Sequence, residues 1–138
     1  MTTDELTNKL KECDDIDIFM QKNVSEFDEK AFNKYLSELA RRGDVNGSKL
    51  AIESDIAVAY SYTLLSGRST APGRDIILKL AFGLKLGIDE TNRLLTLGGV
   101  APLRSKVRRD SIIIFSIDKG MPLEQVNELL LHYDLFQI

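Results

Sequence analysis

Two stretches of this chain align without a gap at a constant offset of 35 residues: Arg74 to Leu95, RDIILKLAFGLKLGIDETNRLL, over Arg109 to Leu130, RDSIIIFSIDKGMPLEQVNELL. Arg74-Asp75 falls on Arg109-Asp110, Ile77 on Ile112, Asn92 on Asn127 and Leu94-Leu95 on Leu129-Leu130. A repeat of this length reads as a supersecondary unit, here a helical hairpin, with the second copy packed on the first. Ile112 to Phe115 is short and apolar enough for a strand, but with no partner to pair with it reads as a buried helix. The Arg-Asp pair that opens each copy would tie the hairpins together through local ion pairs. Pro122 fits the first turn of the last helix, which leads into the apolar tail Leu135-Phe136.

The first copy splits into a helix over Arg74 to Lys85, whose Ile77, Leu78, Leu80, Ala81 and Leu84 point to a core, and a helix over Ile88 to Leu97. Asp89-Glu90 lies at the positive end of the latter and Gly98-Gly99 stops it. Upstream, Asp28 to Arg42 is amphipathic, with Ala31, Phe32, Tyr35, Leu36 and Leu39 recurring at three and four residues. Arg41-Arg42 trail it and Gly43 ends it. Ahead of it, Thr3 caps a short helix over Asp4 to Glu12 with Leu6 and Leu10 on one stripe. Asp14-Asp15 breaks that helix, Ile16 to Met20 begins another, and Phe27 pins the following loop.

Between these blocks lies Asn46 to Gly67, NGSKLAIESDIAVAYSYTLLSG, which reads as two helices joined by a tight turn. Asn46 is the N-cap of Ser48 to Ser54, and the small Ala51 allows a neighbouring helix to approach closely. Asp55 tolerates turn geometry and Ile56 plugs the corner. The second helix spans Ala57 to Leu65 and stops at Gly67 in a left-handed cap. This is the pattern of a helix-turn-helix, whose second helix can enter a DNA major groove.

The 138 residues are 43% hydrophobic and 28% charged, enough for a core without disulfides or metal. No stretch approaches the roughly 18 apolar residues of a membrane span, and MTTDELTNKL lacks a signal-peptide core, so a cytoplasmic protein is expected. With one cysteine, Cys13, and one histidine, His132, no metal cluster, cofactor site or nucleophile dyad is expected, and no enzyme. Charge is unevenly placed. Residues 1 to 44 carry 7 Lys/Arg against 11 Asp/Glu, whereas residues 66 to 109 carry 9 against 3. A basic middle suits a phosphate backbone, and it equally suits a merely solvated face.

Leu50-Ala51, the Asp55-Ile56 turn, Leu64, the Leu65-Ser66-Gly67-Arg68 ending and the following Arg-Asp helix are what the region resembles a known family by. The five helices from Asp28 to Leu97 resemble the lambda-repressor and Cro type of helix-turn-helix, the XRE family. The whole chain is similar to a bacterial group of that family with an acidic N-terminal extension and an appended hairpin. The matching pieces are Ser66-Gly67-Arg68, Asp89-Glu90-Thr91-Asn92, Ala101-Pro102-Leu103 and Arg109-Asp110-Ser111-Ile112-Ile113-Ile114-Phe115.

The resemblance implies an all-α fold in three parts: an acidic helical extension over 1–27, a lambda-repressor-like five-helix domain over 28–100 and a C-terminal hairpin over 101–138. It implies a DNA-binding transcriptional regulator with double-stranded DNA as partner and a homodimer as its assembly. Its DNA-facing residues would be Ala57, Val58, Ala59, Tyr62 and Thr63 on the second helix, with Ser48, Lys49, Arg68, Ser69, Thr70 and Arg74 on phosphates. Three of the first five are small and apolar, so they cannot make the bidentate contacts that distinguish bases. The alternative is a protein-interaction module that keeps the scaffold and has lost base readout.

Overall fold

The computed structural model describes residues 1–23 and 30–138, and all regular secondary structure among them is helical. In chain order the helices are α1 Thr3–Lys11, α2 Ile16–Lys22, α3 Ala31–Arg42, α4 Gly47–Ser54, α5 Val58–Ser66, α6 Arg74–Gly83, α7 Ile88–Leu97, α8 Arg108–Asp118 and α9 Leu123–His132. None is long and apolar enough to cross a membrane. The expected pin at Phe27 and helix start at Asp28 fall on residues 24–29, outside those described.

Several boundaries move by a residue or two, each for a local reason. Thr2, not Thr3, caps α1, in a capping box with Glu5. Ala57 precedes α5 as its extended N-cap instead of joining the helix. α6 ends at Gly83 because the chain turns through Lys85, which takes the left-handed conformation at φ 56°. Pro122 is the extended N-cap of α9, not part of its first turn. The α1 stripe buries nothing: Leu10 is exposed, and α1 contributes no buried residue.

One buried cluster runs from Phe32, Leu36 and Leu39 on α3 through Leu50, Leu64, Ile77, Leu78, Leu80, Leu94 and Leu95 to Leu103 and Ile113 on α8. Side chains of this size stabilise by about 1.5–3 kcal/mol each when fully buried. α3 lies on α5 and α7, α4 on α5 and α6, and the two hairpins α6–α7 and α8–α9 contact each other as α6 on α9 and α7 on α8. α4 packs tightly on α6 where Gly83 faces Ser54. A Cβ added to Gly83 would stand 1.9 Å from Ser54 Oγ.

The repeat in the sequence is also a repeat of hydrogen bonds, and it reaches further than residue identity does. Arg74 Nε donates to the Ala101 carbonyl and Arg109 Nε to the Phe136 carbonyl, both at the 35-residue offset. A second guanidinium nitrogen of each donates to Pro102 and Gln137 respectively. Asn92 Oδ1 accepts from the Leu103 amide at 2.8 Å, and Asn127 Oδ1 from the Ile138 amide at 2.7 Å. The left-handed turn residues match too, Lys85 with Gly120 and Gly99 with Asp134. The equivalent units are therefore residues 74–103 and 109–138.

The Arg-Asp pairs correct a second expectation, because they are not local. Arg74 reaches across to Asp110 through two bonds of 2.9 and 2.8 Å, and Arg109 reaches back to Asp75 through bonds of 2.9 and 3.1 Å. A pairing in which each copy's Arg meets the other copy's Asp is the signature of a two-fold relation, not of translation along a stack. The helix contacts, α6 on α9 and α7 on α8, obey the same exchange. The two pairs differ in burial: the Asp110 side chain is 4% exposed, whereas that of Asp75 is 49% exposed.

Candidate nucleic-acid interface

α4 and α5 are held together by a cap, a turn and two contacts between the helices. Asn46 caps α4 by accepting from the Lys49 amide at 2.8 Å, and Asp55 ends it in the left-handed conformation, φ 54°. Ser61 Oγ donates to the Gly47 carbonyl at 2.7 Å, tying the middle of α5 to the start of α4. The ring of Tyr62 lies directly on Gly47, where an added Cβ would come within 2.7 Å of it. Glycine is required there for packing, not for backbone freedom. At the rim of this contact Ser48 Oγ and the Tyr62 hydroxyl are 3.3 Å apart.

The other end of α5 is held by α3. The last carbonyls of a helix have no partner within its regular ladder, and here the Leu64 carbonyl accepts from the Gly67 amide as well as from a side chain. Asn33 Nδ2 donates to the Leu64 carbonyl at 2.8 Å, Ser37 Oγ to that of Leu65 at 2.6 Å, and the Lys30 ammonium to that of Gly67. Gly67 takes the left-handed cap at φ 77°. Lys30, Lys34 and Arg41 line a cavity of 430 Å³ with Glu38, Ser66 and Gly67, so the N-cap of α3 and two of its own cations stand, with one carboxylate, beside the end of α5. Sequence reasoning missed them. The available signal was the spacing of Lys30, Lys34, Ser37 and Arg41 at three and four residues, along the edge of the apolar stripe.

Most of the expected DNA-facing residues are exposed. Ala57, Val58, Ala59 and Tyr62 are exposed, as are Ser48, Lys49, Arg68 and Thr70. Thr63 is half-buried and its hydroxyl donates back to the Tyr60 carbonyl. Ile52, one turn on from Ser48 and absent from the expected set, is 78% exposed. Two expected phosphate contacts stand elsewhere. The Ser69 hydroxyl is buried, and the Arg74 guanidinium is engaged by Asp110, Ala101 and Pro102.

The basic segment is accordingly less available than its charge suggests. Besides Arg74 and Arg109, Arg93 is occupied over the Tyr35 ring, 4.9 Å from its centre. Arg68, Lys85, Arg104, Lys106 and Arg108 are exposed. Burial, then the nearby Glu90 carboxylate, pushes the Tyr35 phenol above its ordinary value. Among the described residues no group of three or more His, Cys, Asp or Glu side chains is placed to hold a metal ion. No protein-family model, curated protein or solved structure matches the chain.

Proposed function

We propose that the chain is a non-enzymatic, DNA-binding regulator of the XRE, lambda-repressor-like helix-turn-helix type, in which α5 docks in a major groove. The supporting observation is that Val58, Ala59 and Tyr62 of α5 are exposed, as are Lys49 in the first turn of α4, whose start is tied to the middle of α5, and Arg68 just beyond the end of α5. Cations beside a docked helix neutralise phosphates, and small side chains on its outer face admit the helix to the groove and touch thymine methyls. Affinity then comes mostly from phosphates and falls with salt. Fluorescence anisotropy of labelled random duplexes should register binding at low salt. Lys49→Glu or Arg68→Glu should each weaken it and reduce the salt slope by about one. No binding at low salt overturns the proposal.

A second reading is favoured by one observation, the apolar surface made by Ile52 at 78%, Val58 at 48% and Tyr62 at 46% exposure. On this reading the surface docks a protein partner. Val58→Asp with Ala59→Asp then abolishes partner capture while helical circular dichroism is unchanged, and capture that survives the double change rejects it.

A further inference from the structure

The two-fold relation between the hairpins makes their burial comparable position by position. Leu78 and Ile113, Ala81 and Ser116, Thr91 and Val126, and Leu95 and Leu130 are buried in both copies. A second set is buried only in the first copy. Ile77 and Leu80 on α6 and Leu94 on α7 are 0% exposed, because α4 lies on α6 and α3 on α7. Their counterparts Ile112, Phe115 and Leu129 line an open groove of 500 Å³ with Arg108, Ser111 and Tyr133. Phe115 is 51% and Tyr133 49% exposed. The surface that in one hairpin seats a pair of helices is empty of any described helix in the other.

The same chain carries a segment of matching chemistry. α1 and α2 expose Leu10, Ile16, Ile18 and Met20, each at 45% or more, and neither helix packs extensively on another described helix. Their residues 1–23 hold Asp4, Glu5, Glu12, Asp14, Asp15 and Asp17 against Lys9, Lys11 and Lys22. The groove is lined by one cation, Arg108, and no carboxylate; Lys119 sits over the Phe115 ring while paired with Asp118 at 3.6 Å, and exposed Arg104 and Lys106 precede α8. Acidic amphipathic helices and a basic-rimmed apolar groove are complementary.

We propose that the α8–α9 groove receives the α1–α2 segment of a second copy, and that reciprocal exchange closes a two-fold dimer. This inference is independent of DNA binding. Sedimentation equilibrium of the full chain should show a dimer. Phe115→Glu in the groove and Ile18→Glu in the segment should each raise the dissociation constant at least about 30-fold, the scale of losing one interface hot spot. Both side chains are exposed, so helical circular dichroism should be retained; if Phe115→Glu lowers it, Tyr133→Glu tests the same groove. Mixing the two variants should restore a heterodimer, since one intact segment then meets one intact groove. A monomeric wild type overturns the proposal. So does loss of the dimer with Phe115→Glu but not with Ile18→Glu, which would mean groove-on-groove pairing.

Discussion

Replacing Arg74 with Met should be far more damaging than neutralising Asp75, although the two residues take part in equivalent ion pairs. Asp110 is 4% exposed and accepts from Arg74 at 2.9 and 2.8 Å and from the Arg104 amide at 3.0 Å. Arg74→Met leaves its carboxylate buried with one donor, a defect that costs about 3–5 kcal/mol. Asp75→Asn removes a carboxylate that is 49% exposed, and Arg109 keeps the Phe136 and Gln137 carbonyls, so the loss should stay near or below about 1 kcal/mol. Urea unfolding separates these outcomes, because a slope of about 1–3 kcal/mol/M turns the larger loss into a midpoint shift of more than about 1 M. Arg74→Met with Asp110→Leu should recover much of the deficit, since an apolar pair carries no desolvation cost. Equal losses for Arg74→Met and Asp75→Asn would refute the argument from burial.

Gly83→Ala should cost at least about 1–3 kcal/mol in chemical denaturation, because its Cβ would meet Ser54 Oγ at 1.9 Å and the Ser54 backbone nitrogen at 3.1 Å. Ser54→Ala alone should be neutral or stabilising, since that hydroxyl is buried with no hydrogen-bond partner among the described residues. Asn46→Ala removes the α4 cap and should lower stability by about 1 kcal/mol in the same assay. The raised Tyr35 phenol favours the neutral form in the folded chain. Its contribution is therefore complete below the unfolded tyrosine value of about 10 and lost as pH climbs through the higher folded value. Tyr35→Phe should flatten the alkaline decline in stability, and an unchanged decline would contradict this.

How much of the molecule could be read from its residues depended on how local each determinant is. The Asn46 cap, the Asp55 turn and the Gly67 stop are each set by one side chain or one φ angle, and each stands where its residue type implies. The repeat was legible over Arg74–Leu95 and Arg109–Leu130, where identities persist, but not over 96–103 and 131–138. There the equivalence lies in backbone carbonyls and amides, which any residue supplies. The crossing of Arg74 to Asp110 was illegible for the same kind of reason: sequence places Arg beside Asp in each copy, and only packing decides which Asp is met. Phe115 was expected in a buried helix and is half exposed, because periodicity reports that a face is apolar, not whether a neighbour covers it. At the candidate interface, the outward residues of α5 were implied by the family resemblance, and Ala57, Val58, Ala59 and Tyr62 are exposed while Thr63 is half-buried. Withdrawal of Ser69 and Arg74, and the approach of Lys30 and Lys34 from α3, are tertiary facts.

The proposal that α5 meets DNA is tested most directly by following backbone amide resonances while a short random duplex is added at low salt. Binding through this face should move Ser48, Lys49, Val58, Ala59, Tyr62 and Arg68 together, and the shifts should collapse as salt rises. Shifts confined to Arg104, Lys106 and Arg108, or none at any salt, would contradict it.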